Sequence, residues 1–226
     1  MFTLDQVVPW GRSFEEYQRM FALSEADLSS RILGCGDGPA SFNAIATRRG
    51  ARVVSIDPLY RFPPDQIRAR IDATATAIAE QLRGNQDAFV WDTFTSVDDL
   101  LATRLAAMAT FLDDYAAGAN GPRYVDAELP RLPLGSASFD LTLCSHLLFL
   151  YTDQLTESFH HDAVAELCRV APEVRIFPLV TLEGRPSPYV APVSRSLRDS
   201  GYDVSVEVVP YEFQRGGNQM MRVRER

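Results

Sequence analysis

The sequence predicts an α/β fold: a doubly wound, mostly parallel sheet of seven strands, with helices on both faces and an antiparallel hairpin at its C-terminal edge. Three observations predict it. Short apolar runs alternate with helical periodicities along most of the 226 residues, as in chains of successive β-α-β units. Phe139 to Cys144 is nearly continuous in apolar side chains, which suits a parallel strand covered on both sides. After Val204 the pattern changes to alternation on either side of Gly216-Gly217, the mark of two strands returning on each other.

The elements follow in order. Ser13-Phe14-Glu15-Glu16 has the spacing of a capping box, so a helix should begin at Ser13 and run towards Phe21. Arg31-Ile32-Leu33 is a short strand that enters Gly34-Cys35-Gly36-Asp37-Gly38. Pro39 suits the first turn of the next helix, which runs from Ala40 to Arg49 and stops at Gly50. Val53 to Ile56 is the second strand, ended by Asp57-Pro58. Helices are predicted over 65–83, stopped by Gly84, and over 97–117, stopped by Gly118. The second of these carries Leu100, Leu101, Leu105, Met108, Phe111 and Leu112 largely on one face. Tyr124-Val125 is a third strand and Phe139 to Cys144 a fourth; a helix over 155–170 precedes the strand Val174 to Phe177. Residues 184–192, with three prolines, read as a loop before a short helix over 193–199. Val204 to Glu212 and Gln219 to Arg224 make the closing hairpin.

Composition sets the frame. With 46% hydrophobic and 23% charged residues, the chain reads as one globular domain over 1–226. Within it, 1–28 forms an N-terminal helical cover and 62–122 a helical insertion suited to a lid. No stretch has the apolar length of a membrane helix, and the first residues lack a secretory pattern. Three widely spaced cysteines, Cys35, Cys144 and Cys168, argue against a disulfide scaffold and fit a reducing compartment, so the chain reads as cytoplasmic. The net charge of −8 disfavours nucleic acid as a partner. The one basic cluster, Arg215, Arg222, Arg224 and Arg226, reads as a solvated edge strand. All 22 basic residues are arginine, which removes Schiff-base chemistry and the lysine of a phosphate-binding P-loop.

Chemistry is concentrated between the first two strands. A turn as tight as Gly34-x-Gly36-x-Gly38 needs positive φ, and a ligand held against bare backbone leaves no room for a Cβ. Asp57, at the tip of the second strand, can accept both hydroxyls of a ribose. A dinucleotide loop would place a third glycine where Pro39 stands, so the spacing suits a ligand without a pyrophosphate.

The runs Ile32 to Gly38, Val54 to Asp57, Asp126 to Pro130 and Ser138 to Leu141, with the antiparallel closing hairpin, resemble the SAM-dependent methyltransferases of Rossmann-like (class I) fold. The resemblance covers roughly residues 29–180. It implies S-adenosylmethionine (SAM) as cofactor and methyl transfer as the reaction. By position, it implies that Gly34, Cys35, Gly36, Asp37 and Gly38 line the methionine and ribose portion, and that Asp57 binds the ribose hydroxyls. Pro58 or Leu59 would flank the adenine, Asp126 and Ala127 would meet its edge, and Ser145 and His146 would face the methionine part and the methyl group. The family often carries an acid two positions before the first glycine; Ile32 stands there, so another group binds the SAM amine or affinity is lower.

Other residues carry narrower expectations. His146, at a strand end, is a candidate base, its other reading being a plain pocket wall. His160 and His161 are adjacent on a helix, make a poor metal pair and read as surface residues; no metal site is predicted. Arg12, with Trp10 beside it, could reach over the cofactor to the methionine carboxylate, whereas Tyr17 and Phe21 suit a helix packed on the sheet. The stretch from Tyr211 to Asn218 lies beside the site in this topology. The acidic charge and the insertion favour a small-molecule acceptor. A nicotinamide-dependent oxidoreductase and a non-catalytic SAM or nucleotide binder are the rival functions, and oligomeric state is not legible.

Overall fold

The computed structural model describes residues 8–117 and 121–226, so the expected stop at Gly118 lies outside the described residues. Two short helices, α1 (Phe14–Met20) and α2 (Glu25–Leu28), precede β1 (Arg31–Cys35). Then come α3 (Phe42–Arg48), β2 (Arg52–Ile56), α4 (Pro64–Gly84), α5 (Val97–Ala117), β3 (Tyr124–Val125) and β4 (Leu141–Ser145). The chain ends with α6 (Glu157–Val170), β5 (Glu173–Phe177), α7 (Val190–Asp199), β6 (Tyr202–Val208) and β7 (Gln219–Glu225). The strands form one sheet in the order β3-β2-β1-β4-β5-β7-β6. Pairing is parallel from β3 to β5, and β7 runs antiparallel to both β5 and β6. The mostly parallel, seven-stranded sheet with its C-terminal hairpin is as expected.

Alternation along the central strands loads both faces. Ile32, Leu141 and Leu143 point into one core with Phe14, Tyr17 and Met20 of α1 and Phe42 of α3. Leu33, Cys35 and Cys144 point into the other, with Val164 and Leu167 of α6 and Val193 of α7. Fully covered strands of this kind read as continuous apolar runs. Helices on both faces make the sheet doubly wound, and its parallel strand ends converge on one rim. No helix among the described residues is long and apolar enough to cross a membrane.

Several boundaries differ from expectation for local reasons. Ser24 and Asp27 form a reciprocal cap that stabilises the extra helix α2. Pro39 lies in a turn closed by Ala40 N–H on the Asp37 carbonyl, so α3 begins only at Phe42. Pro192 falls inside the first turn of α7, where its missing N–H costs nothing, and the helix therefore starts at Val190 instead of after the prolines. The hairpin is not tight: residues 209–218 form a long loop that returns over the sheet rim. On α5, Leu105 is exposed, and the buried position one residue earlier is Arg104.

The expected edge strand is not one: β7, which carries Arg222 and Arg224, lies between β5 and β6, and its arginines are tied down. Arg222 and Arg224 both donate to Glu173, and Arg215 donates to the Asp87 and Phe89 carbonyls. Glu173 also takes Arg175, which is 2% exposed and reaches the Phe21 carbonyl at 2.8 Å and Asp27 at 2.8 Å. One guanidinium thus pins the N-terminal cover to β5. Arg175→Met should destabilise the protein by about 3 kcal/mol, because Asp27 and Glu173 lose a desolvated partner. Urea unfolding reads this directly, and a loss below about 1 kcal/mol would show that the pairs are energetically idle.

Candidate functional site

The rim where β1, β2, β4 and β5 end opens into a cavity of about 510 Å³. That size suits a small ligand. Its walls come from five segments: the glycine loop after β1, Asp57 to Leu59 after β2, Ala127 to Leu129 after β3, Ser145 to Leu147 after β4, and Phe177-Pro178 after β5. Above them lie Trp10, residues of α4 and α5, and the hairpin loop through Tyr211, Phe213 and Gln214.

The glycine loop takes its shape from two left-handed residues, Gly36 at φ +67° and Gly38 at φ +51°. A Cβ on Gly36 would also meet Leu147 at 3.1 Å. Gly34 is required for another reason than the expected one: a Cβ there would fall 1.9 Å from the carboxylate of Asp37, not on a ligand. Asp37 folds back under the loop, where it accepts from the Tyr17 hydroxyl at 2.8 Å and the Ser55 hydroxyl at 2.5 Å. Burial raises its pKa to about 7 against the pull of those two donors. Asp37 borders the cavity, but both its oxygens serve to brace the loop. Cys35 lies beside Cys144 across the sheet; hydrogen bonding to Cys144 and burial hold its thiol well above the usual range, so it packs and does not act as a nucleophile.

Asp57 is set at the cavity wall by two backbone amides. Its Oδ2 accepts from Gly38 at 2.9 Å and its Oδ1 from Leu59 at 2.8 Å, capping the turn that begins at Pro58. Each oxygen keeps a lone pair for a further donor. Burial lifts this carboxyl to about 6 despite both amides. Pro58, Leu59 and Ala127 border the cavity. Asp126 does not: its carboxylate turns outward to Arg61 at 3.1 Å.

His146 has φ +53°, a strained value for a residue with a side chain, and strain of this kind collects at functional sites. Its amide is held by the Phe177 carbonyl at 2.7 Å and its Nδ1 lies 2.9 Å from the Ser145 hydroxyl. Burial, then Arg12 and Arg104, push its pKa well below the ordinary histidine range, so the ring is neutral. His160 corrects the surface reading: it is fully buried, and its Nε2 accepts from the Phe149 amide at 2.9 Å while Nδ1 donates to the Thr156 carbonyl. It fastens the segment after β4 to α6.

Arg12 borders the cavity and touches the Trp10 carbonyl through Nη1. Burial, and then repulsion by Arg104, lower its pKa to about 10. The sequence reading missed Arg104 and Glu16, each 1% exposed and paired at 2.8 Å. A signal was present: Arg104 sits between Leu100 and Met108 at helical spacing, on a face where a cation needs a partner. Overhead, the Val90 amide bonds the Phe213 carbonyl at 2.7 Å and Phe89 stacks on Phe213 at 4.8 Å. The segment between α4 and α5 thereby joins the hairpin loop across the cavity.

The raised carboxyl of Asp37 fixes a sign. Between about pH 4 and pH 7 the unfolded chain has released this proton and the folded chain has not, so ionisation costs stability as pH rises. Relative to Asp37→Asn, the wild type should therefore lose stability from pH 4 to pH 7 and level off above. Urea midpoints across that range test it; a difference that grows with pH would mean the hydroxyls of Tyr17 and Ser55 outweigh desolvation.

No family model matches the chain. An uncharacterised protein of Methanocaldococcus jannaschii is 33% identical over 222 residues, which span 98% of this chain and 97% of that one. Among solved structures, the magnesium protoporphyrin IX methyltransferase of Synechocystis PCC 6803 superposes with a TM-score of 0.49 at 12% identity, over 89% of this chain and 77% of that one. A SAM-dependent methyltransferase of Thermotoga maritima superposes at 0.45 and 10% identity, over 95% and 90%. By its strand order the chain has a doubly wound, Rossmann-like fold, and by its sequence it belongs to one family with the Methanocaldococcus protein.

Proposed function

We propose that the protein binds SAM at the rim of the sheet and transfers its methyl group to a small molecule. One observation carries the reading: a left-handed glycine loop and the amide-anchored carboxylate of Asp57 border the same cavity, with lone pairs to spare for two hydroxyls. When bound, SAM supplies a methyl on a sulfonium; an acceptor lone pair forms the new bond to carbon while the carbon–sulfur pair returns to sulfur as a neutral thioether. The residues present fit that group. Cys35, Gly36 and Gly38 shape the surface for the methionine and ribose portion, with Asp37 as the brace and Gly34 leaving room for it. Asp57 takes the ribose hydroxyls, and Pro58, Leu59 and Ala127 enclose the adenine. Ser145 and His146 face the methionine part, and Arg12 reaches its carboxylate.

The chain's remaining work is enclosure and alignment, which can supply much of the rate of such a transfer. Residues 62–122 act as a lid, joined to the hairpin loop at Val90 and Phe213 so that water is kept from the chamber. His146 is neutral and could accept a hydrogen bond from an acceptor hydroxyl or amine, but burial and the two arginines that keep it neutral also make it a weak base. A nicotinamide reading is disfavoured by Pro39, which stands where a pyrophosphate loop needs glycine.

SAM and S-adenosylhomocysteine should each raise the melting temperature, and NAD should not; stabilisation by NAD alone would sink the assignment. Asp57→Ala should weaken S-adenosylhomocysteine binding about 10- to 100-fold, the value of about 1.5–3 kcal/mol for hydrogen bonds to a charged group. In the wild type, affinity should fall about tenfold between pH 7 and pH 5, because protonating Asp57 removes the acceptor form. Calorimetric titration gives both numbers, and transfer of label from SAM into the small-molecule fraction of an extract tests catalysis.

A further inference from the structure

The cavity's inner end holds more positive charge than its partners offset. Arg12 and Arg104 both border it, and the carboxylate paired there is Glu16. Each guanidinium also keeps a buried Nε with no acceptor among the described residues. His146 beside them is neutral, so it neither adds nor removes charge. Desolvated cations left in excess are costly and demand an anion.

The cofactor alone does not meet that demand. SAM brings one carboxylate together with an ammonium and a sulfonium, so its arrival makes the chamber more positive by one charge. If its carboxylate sits against Arg12, Arg104 still shares its countercharge with Tyr211: the same Glu16 Oε1 that faces Arg104 accepts from the Tyr211 hydroxyl at 2.7 Å. Around the two arginines the walls are apolar and aromatic, from Trp10, Phe89, Leu150, Leu182 and Phe213. Asp37, Asp57 and Glu128 also border the cavity, but the carboxylate paired at these arginines is Glu16; beside them a cationic acceptor meets repulsion, and a neutral apolar molecule finds no partner for the guanidinium edges.

We propose that the methyl acceptor is an organic anion, a small aromatic or aliphatic carboxylate whose charged group lies against Arg104 and whose body fills the space under Phe89 and Phe213. The planar fork of arginine matches a carboxylate edge to edge. The proposal rests on the methyltransferase reading and deepens it by naming the acceptor class. It also explains how a protein of net charge −8 can admit such a molecule: local field inside a low-dielectric cleft, not net charge, decides what enters.

The test uses three probes of one shape and different charge: benzoate, benzamide and benzylamine. Each is titrated into the full-length protein saturated with S-adenosylhomocysteine. Benzoate should bind at least about tenfold more tightly than benzamide, with benzylamine weakest. Equal affinity for benzoate and benzamide, a preference for benzylamine, or no uptake of benzoate overturns the proposal. The double variant Glu16→Gln with Arg104→Gln removes the pair together and should weaken benzoate at least about tenfold more than it weakens S-adenosylhomocysteine. Unchanged benzoate affinity in that folded variant also overturns it; if the variant does not fold, the wild-type probe series decides alone. Protein that takes up no S-adenosylhomocysteine sinks the methyltransferase reading itself, whereas protein that takes it up and favours the neutral or cationic probe sinks only the anionic acceptor.

Discussion

Glu16 is the point through which the chamber is held together. Its Oε2 accepts from the Ser13 amide, closing the capping box that starts α1, and its Oε1 accepts from Arg104 on α5 and from Tyr211 in the hairpin loop. One side chain therefore ends a helix and joins three segments far apart in sequence. Remove it, and a guanidinium and a phenol are left buried without their acceptor. The cavity exists because those segments stay together: α1 floors the sheet rim, α5 belongs to the insertion above, and the hairpin loop closes the side.

Such a pair is a poor source of net stability, since taking two charges out of water costs about as much as their attraction returns. Its value lies in specificity. Apolar contacts between α5 and the rim tolerate sliding, because dispersion and burial are non-directional. An arginine that must meet Glu16 and Tyr211 at hydrogen-bond distance does not. The aromatic contacts then fill in around a fixed register: Phe89, Trp91 and Phe94 pack on Phe213, and Arg104 itself lies 5.8 Å from the Phe94 ring. Directional electrostatics set the geometry, and burial supplies most of the free energy.

The same division explains what the sequence made legible. The alternation of strands and helices, the doubly wound layering and the glycine loop depend on local signals: apolar runs, positive-φ glycines, and Asp57 at a strand tip. These act over a few residues and can be read there. The roles of Asp37 and Gly34 could not. The loop motif put Asp37 among ligand-facing residues, whereas it is Tyr17 and Ser55, from α1 and β2, that draw its carboxylate under the loop and so forbid a Cβ on Gly34. His160 failed for a related reason. Its neighbour His161 is partly exposed and made the pair look solvated, but the Phe149 amide, turned inward after β4, needs an acceptor and His160 supplies it. Asp126 pairs with Arg61, which itself borders the cavity, and the sequence reading did not foresee that pair. In each case the partner lies in another element, and sequence spacing carries no record of it.

The loop brace and the ion pair meet in one consequence for chemistry. Asp37 braces the glycine loop from beneath through Tyr17, and Tyr17 lies one residue after Glu16 on the same helix. Successive positions of α1 thus govern the two halves of the cavity: Tyr17 the glycine loop, Glu16 the arginine end. A rotation or shift of α1 would disturb both together, because a helix seven residues long, stacked through Tyr17 and Phe14 onto Phe42, has little freedom to move one side chain without the other. The proposed methyl transfer would need donor carbon and acceptor atom held within a fraction of an ångström of their productive distance. Setting both ends of the chamber from adjacent residues of one rigid helix is a direct way to hold that distance constant.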